Sequence, residues 1–193
     1  MAYEPKNYNH LLGTDGFSDN LLKTHFGLYE GYVKNTNKLV EQLKKYTDEE
    51  NIASPEYAEL KRRFGWEFNG MRLHEYYFGN MAKGGGEPDK AAPLYKKLEE
   101  VFGSYQNWEK DFKATGAMRG IGWAILYQDE ESKKLFNIWV NEHDFGHLAG
   151  GSPLLVMDVF EHAFVLDYGM KRGEYIDAFM RAVDWEEVNK RAH

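Results

Sequence analysis

The chain has 193 residues, enough to bury a substantial core without covalent staples, and it contains no cysteine. That excludes disulfides, thiolate metal sites, iron–sulfur clusters and cysteine nucleophiles, and leaves any metal to imidazoles and carboxylates. A net charge of −7, with acidic and basic residues interleaved, offers no basic face to a phosphate backbone, so no nucleic-acid partner is expected.

The amino terminus MAYEPKNYNH has no basic stretch leading into an apolar one, and no run approaches the roughly 20 apolar residues of a membrane span. The expectation is a cytoplasmic protein with no membrane partner. The 13 Tyr, 12 Phe and 5 Trp suit a dense aromatic core or interface. From Ser18 to about Tyr46, Leu22, Phe26, Tyr29, Val33, Val40 and Leu43 recur at three, four and seven, which predicts a long amphipathic helix capped by Ser18 or Asp19. Ser54-Pro55-Glu56 opens a second helix that keeps an apolar face through Phe78. The chain then breaks at GGGEPDKAAP, residues 84–93. This boundary predicts a helical hairpin domain, 1–88, and an α/β C-terminal domain, 89–193.

In the second half, two short helices (about 93–102 and 104–117) lead into GIGWAILYQD and KLFNIWVNEH, two β-prone runs joined by EESK. A third run, SPLLVM, follows, and residues 173 to about 191 return to helical spacing through Tyr175, Ile176, Phe179, Val183 and Val188. The fold class is therefore α+β: the hairpin, then a small three-stranded antiparallel sheet flanked by helices.

MDVFEH, residues 157–162, places an Asp, a Glu and a His at the end of the third apolar run, where charged groups are costly unless paired or bound to a metal. Of the seven histidines, His10 and His193 lie near the termini and are expected to have no role. His25 and His74 lie on the first and second helices, on or beside the faces that an antiparallel hairpin turns inward. With Asp158 and His162 from the third strand's end, three imidazoles and one carboxylate would suit iron or manganese, and zinc would accept them too.

HFGLYEGYV (25–33), NGMRLHEYYF (69–78), GIGWAIL (120–126) and above all DVFEHAFVLDYGMKRGEYIDAFMRAVDWEEV (158–188) resemble the iron/manganese superoxide dismutase family, in order and over nearly the whole chain. The resemblance implies one iron or manganese ion per subunit, with His25, His74, Asp158 and His162 as ligands. It implies conversion of superoxide to dioxygen and hydrogen peroxide, and a homodimer or homotetramer in which Glu161 reaches the partner's His162. It also implies that Tyr32 is the phenol near the substrate channel that relays protons, and that Trp123 lines the metal pocket. His143 would take the place of the Gln or His that hydrogen-bonds the metal's solvent ligand, because the alternative position for that group is Gly70 here.

Three departures stand out. Seven residues separate His25 from Tyr32, one fewer than usual in the family, so an unbroken α-helix aligns both on one face without a bulge. The family's His four residues after the first ligand, and its Tyr three after the last, are Tyr29 and Val165, so a polar gateway bond between them cannot form. The common Trp before Glu161 is Phe160. Lys171 and Arg172 are candidates for focusing an anionic substrate on an acidic protein. Two rival readings are a metal-binding relative of low activity and, more weakly, a zinc hydrolase using His143 and His147 of HDFGH.

Overall fold

The computed structural model describes residues 2–192, so His193 lies outside them. Ser18 opens the first helix, α1 (Asp19–Asp48), by accepting the Leu21 N–H on its hydroxyl. Ser54 does the same for Tyr57 at the start of α2 (Pro55–Gly79), where Pro55 stands in the first turn and has no N–H to leave unsatisfied. The two helices pack against each other and bury Leu22, Phe26, Tyr29 and Val33 with Met71, Leu73, Tyr77 and Phe78. Val40, on the predicted stripe, is 46 % exposed and Leu39 is buried instead.

After an irregular stretch come α3 (Pro93–Phe102) and α4 (Tyr105–Gly116), divided by Gly103 in a left-handed conformation. Strands β1 (Gly122–Asp129), β2 (Leu135–Asn141) and β3 (Gly151–Asp158) form one antiparallel sheet in the order β2-β1-β3. The central strand, β1, is buried from Gly122 through Gln128, which explains its continuous apolar sequence. Gly122 cannot carry a side chain: its φ is +152°, and a Cβ would stand 2.0 Å from the Val140 carbonyl oxygen. Between β1 and β3 the register shifts at Leu126/Tyr127, a bulge beside Pro153, which has no N–H to give the ladder.

Beyond β3 the chain makes a 3₁₀ turn (Glu161–Ala163), a one-turn helix α5 (Val165–Tyr168), and then α6 (Arg172–Arg181) and α7 (Trp185–Arg191). The single helix expected over 173–191 is thus two. Val183 is drawn out of helical pairing by its bridge to Met81, the Ala82 N–H bonds the Ala182 carbonyl, and Asp184 restarts the helix by capping the Glu187 N–H at 3.1 Å. The other expected elements form within a few residues of their predicted bounds. One hydrophobic cluster extends from Tyr8 through the hairpin and the sheet to Val188. Among the described residues no helix is long and apolar enough to cross a membrane.

Candidate metal centre

Asp158 is the last residue of β3 and is fully buried. Its Oδ1 accepts the Phe160 N–H at 2.8 Å, which turns the chain and brings His162 back over the same carboxylate. The other oxygen, Oδ2, lies 3.2 Å from His25 Nε2, 3.1 Å from His162 Nε2 and 3.5 Å from His74 Nε2. One ligand atom from each of the four residues lies within 4.8 Å of all the others.

His74 Nδ1–H donates to the Gly70 carbonyl at 2.6 Å, so the neutral ring carries its lone pair on Nε2. That nitrogen is buried and has no hydrogen-bond partner. A buried lone pair left bare beside two more imidazole nitrogens and a carboxylate oxygen is costly, and a cation at their common centre satisfies it. Burial lowers the His25 imidazole and holds His74 well below the ordinary value, His25 adding to the effect on His74. Burial alone would raise the Asp158 carboxyl, but the His162 and His25 rings facing it outweigh this and hold it below the carboxylate range. Neutral imidazoles and an ionised carboxylate are the forms in which these groups bind a metal.

Tyr32 follows His25 by seven residues on an α1 that is regular throughout, as its spacing requires. Its ring stacks on His74, with centroids 5.2 Å apart, and its hydroxyl oxygen lies 2.7 Å from His143 Nε2. Cross-strand pairing sets Trp123 opposite Asp158, and the indole N–H donates to His143 Nδ1 at 3.1 Å. An indole N–H can only donate, so the neutral His143 ring carries its proton on Nε2 and donates it to the Tyr32 oxygen. Burial pushes His143 down to about 4 and Tyr32 up to about 12, so both are uncharged near neutrality. Phe160 is wedged between His143 and His162, stacking on both at 4.7 and 5.1 Å.

The structure therefore brings His25, His74, Asp158, His162, Tyr32, Trp123 and His143 together, and leaves Glu161 exposed beside them. Two readings are revised, the weak rival of HDFGH as a zinc-hydrolase pair and Lys171 with Arg172 as the charges that focus the substrate. HDFGH forms no helix: residues 142–144 are a turn, the Asn141 N–H bonds the Phe145 carbonyl, and His143 and His147 face different partners, which removes the zinc-hydrolase reading. Arg172 is spent on the Met118 and Gly120 carbonyls, and Lys171 pairs with Glu174. Arg63, which pairs with Glu67 and lies over the Trp66 ring, is instead the cation bearing on both Tyr32 and His143. Neither it nor Trp66, whose ring meets His143 at 4.8 Å, carries a sequence signal beyond its place on the α2 repeat. Tyr29 turns its hydroxyl inward, donating to Glu75 Oε1 and accepting the Lys6 N–H, both at 3.0 Å, while Val165 is 41 % exposed.

Residues 90–191 match the family model of iron/manganese superoxide dismutases, C-terminal domain. Over 97 % of its length the chain is 39 % identical to an iron superoxide dismutase of Aquifex pyrophilus, of which it covers 90 %. It is 36 % identical to a manganese superoxide dismutase of Haloferax volcanii, over 99 % of this chain and 96 % of the relative. An iron superoxide dismutase of Sulfolobus acidocaldarius is 33 % identical over 90 % of this chain and 84 % of its own.

Proposed function

This chain belongs to the iron/manganese superoxide dismutase family, and we infer that it converts superoxide to dioxygen and hydrogen peroxide at one iron or manganese ion held by His25, His74, Asp158 and His162. The observation that carries the assignment is the bare, buried Nε2 of His74 facing two imidazole nitrogens and the Asp158 carboxylate. An iron or manganese ion held there would supply a one-electron couple, the chemistry by which two superoxide ions and two protons become one dioxygen and one hydrogen peroxide.

This chain's own residues supply the rest. Asp158 brings the site's one fixed negative charge, and the Gly70 carbonyl keeps the His74 lone pair directed inward. Because His143 donates to the Tyr32 oxygen, the phenol's own proton is free to point toward a reduced substrate, which makes Tyr32 the proton relay. Trp123 holds the His143 tautomer that leaves the phenol in that state and, with Phe160, excludes water from the site's flank.

The proposed partner is a second copy of the chain, as a homodimer or homotetramer. An exposed Glu161 beside the partly open His162, and exposed Val165, Leu166 and Met170 on the neighbouring turn, support this. The division at residue 88 into two domains is proposed on the irregular stretch between α2 and α3.

The test is to grow the protein with iron and with manganese in turn, and to measure bound metal and superoxide decay. One ion per chain and metal-dependent decay far above the spontaneous rate are expected. A metal-loaded protein that leaves superoxide to its spontaneous decay would overturn the assignment.

A further inference from the structure

The second histidine of HDFGH has a place in the structure that the reaction as described does not use. Trp123 and Tyr127 stand four residues apart on β1, an even spacing that sets both toward the same face of the sheet. The loop after β2 places two histidines four residues apart against them: the Trp123 indole meets His143 Nδ1 at 3.1 Å, and the Tyr127 hydroxyl lies 2.7 Å from His147 Nδ1. The outer nitrogen of His147, Nε2, lies 2.9 Å from the His143 carbonyl oxygen. A carbonyl can only accept, so this nitrogen carries a proton, and in the neutral ring Nδ1 accepts from Tyr127. Tyr127 is buried, and burial pushes its phenol up to about 12, which keeps it a donor.

We propose that His147 is a positioning residue for His143: clamped between Tyr127 of β1 and the His143 carbonyl, it fixes the peptide from which His143 reaches Tyr32. The inference rests on the superoxide dismutase reading of the site. The Asn69 side-chain nitrogen of α2 lies 3.3 Å from His147 Nε2, a packing contact because both are donors, and the next residue, Gly70, holds His74 and packs on Tyr32. His147 thus ties the loop to the sheet and packs beside the helix that carries a ligand. The loop needs such a clamp because Glu142 is held at a φ of +52°, a conformation uncommon outside glycine, while Gly146 supplies a second positive φ (103°). Trp123 fixes the ring of His143, and His147 fixes its backbone.

The test compares His147→Ala, His147→Gln and Tyr127→Phe with the native protein, each loaded with iron and, for a diamagnetic spectrum, with zinc. Metal content, superoxide decay, the midpoint potential of the iron protein and the ¹⁵N signals of His143 in the zinc protein are read. Removing an outer hydrogen-bond partner costs about tenfold at the lower end, so His147→Ala is expected to keep its metal, lose about tenfold in rate, shift the potential and show mixed His143 tautomers. His147→Gln, whose amide N–H reaches the same carbonyl, restores the potential and most of the rate; Tyr127→Phe moves both in the direction of Ala by less. A His147→Ala protein with the native potential and one Nε2–H tautomer at His143 overturns the proposal. Should the native protein itself fail to remove superoxide, the functional reading falls, while the tautomer comparison still decides the role of His147.

Discussion

Gly70 carries two demands at one position. Its carbonyl accepts the His74 Nδ1–H, and its missing side chain admits the Tyr32 ring, whose Cδ1 would stand 2.5 Å from a Cβ there. Gly70→Ala gains up to about 1 kcal/mol of helix propensity but forces that ring aside, and overpacking of this kind costs about 1–3 kcal/mol. Net destabilisation in urea, with the Tyr32–His143 bond broken in a structure of the variant, is expected; a more stable protein with Tyr32 in place would contradict it. The buried imidazoles predict a pH dependence. His25, His74 and His143 are all lowered by burial, His143 to about 4, whereas in the unfolded chain each titrates near ~6.5. Between those values the unfolded chain binds more protons. Stability is therefore complete above about pH 6.5 and falls as pH drops toward 4, His143 alone contributing a slope of about 1.4 kcal/mol per pH unit. Urea unfolding of the metal-free protein from pH 8 to 4 measures this, and a flat profile would contradict it. At this scale the convergence of His25, His74, Asp158 and His162 was legible, because each lies on a strongly patterned helix or at a strand end. The roles of His147 and Arg63 were not. They depend on a loop wound through positive φ and on helix faces that only tertiary packing brings together.

Among the elements, those with explicit caps and periodic apolar faces were the readable ones. Ser18, Ser54 and Ser104 each accept a backbone N–H three residues on, at the starts of α1, α2 and α4. The break between α6 and α7 was missed because apolar spacing continues through Phe179, Val183 and Val188. The available signal was Asp184 followed three residues later by Glu187, an N-cap pattern that competes with continuation. Ser18 also ties α1 to α5: its N–H and hydroxyl donate to the Asp167 carboxylate at 2.7 and 2.6 Å. Ser18→Ala is expected to lower stability by about 1 kcal/mol through the lost cap, with Asp167→Asn losing a smaller part because the cap itself survives. Thermal unfolding of both variants checks this. Equal midpoints for Ser18→Ala and the native protein would show that the link contributes nothing.

For the molecule as a whole, one hydrophobic cluster binds the hairpin to the sheet, so the two helical ligands and the two from β3 and its turn are held by shared packing and not by a flexible boundary. An acidic chain must draw its anionic substrate against a net charge of −7, and Arg63, paired with Glu67, is the cation nearest in effect to Tyr32 and His143. The proposed second copy bears on the site through Glu161. Glu161→Gln is expected to weaken self-association by sedimentation and to speed metal loss to a chelator, and a variant that associates and retains metal as the native protein does would detach Glu161 from the interface. The most direct measurement of the central claim is metal-edge X-ray absorption on protein grown with iron and with manganese, beside His74→Ala. The account predicts three imidazole nitrogens and one carboxylate oxygen on the ion that supports superoxide decay, with one imidazole and the activity lost together in the variant. A native spectrum with fewer than three imidazoles, or a His74→Ala protein with unchanged coordination and decay, would contradict it.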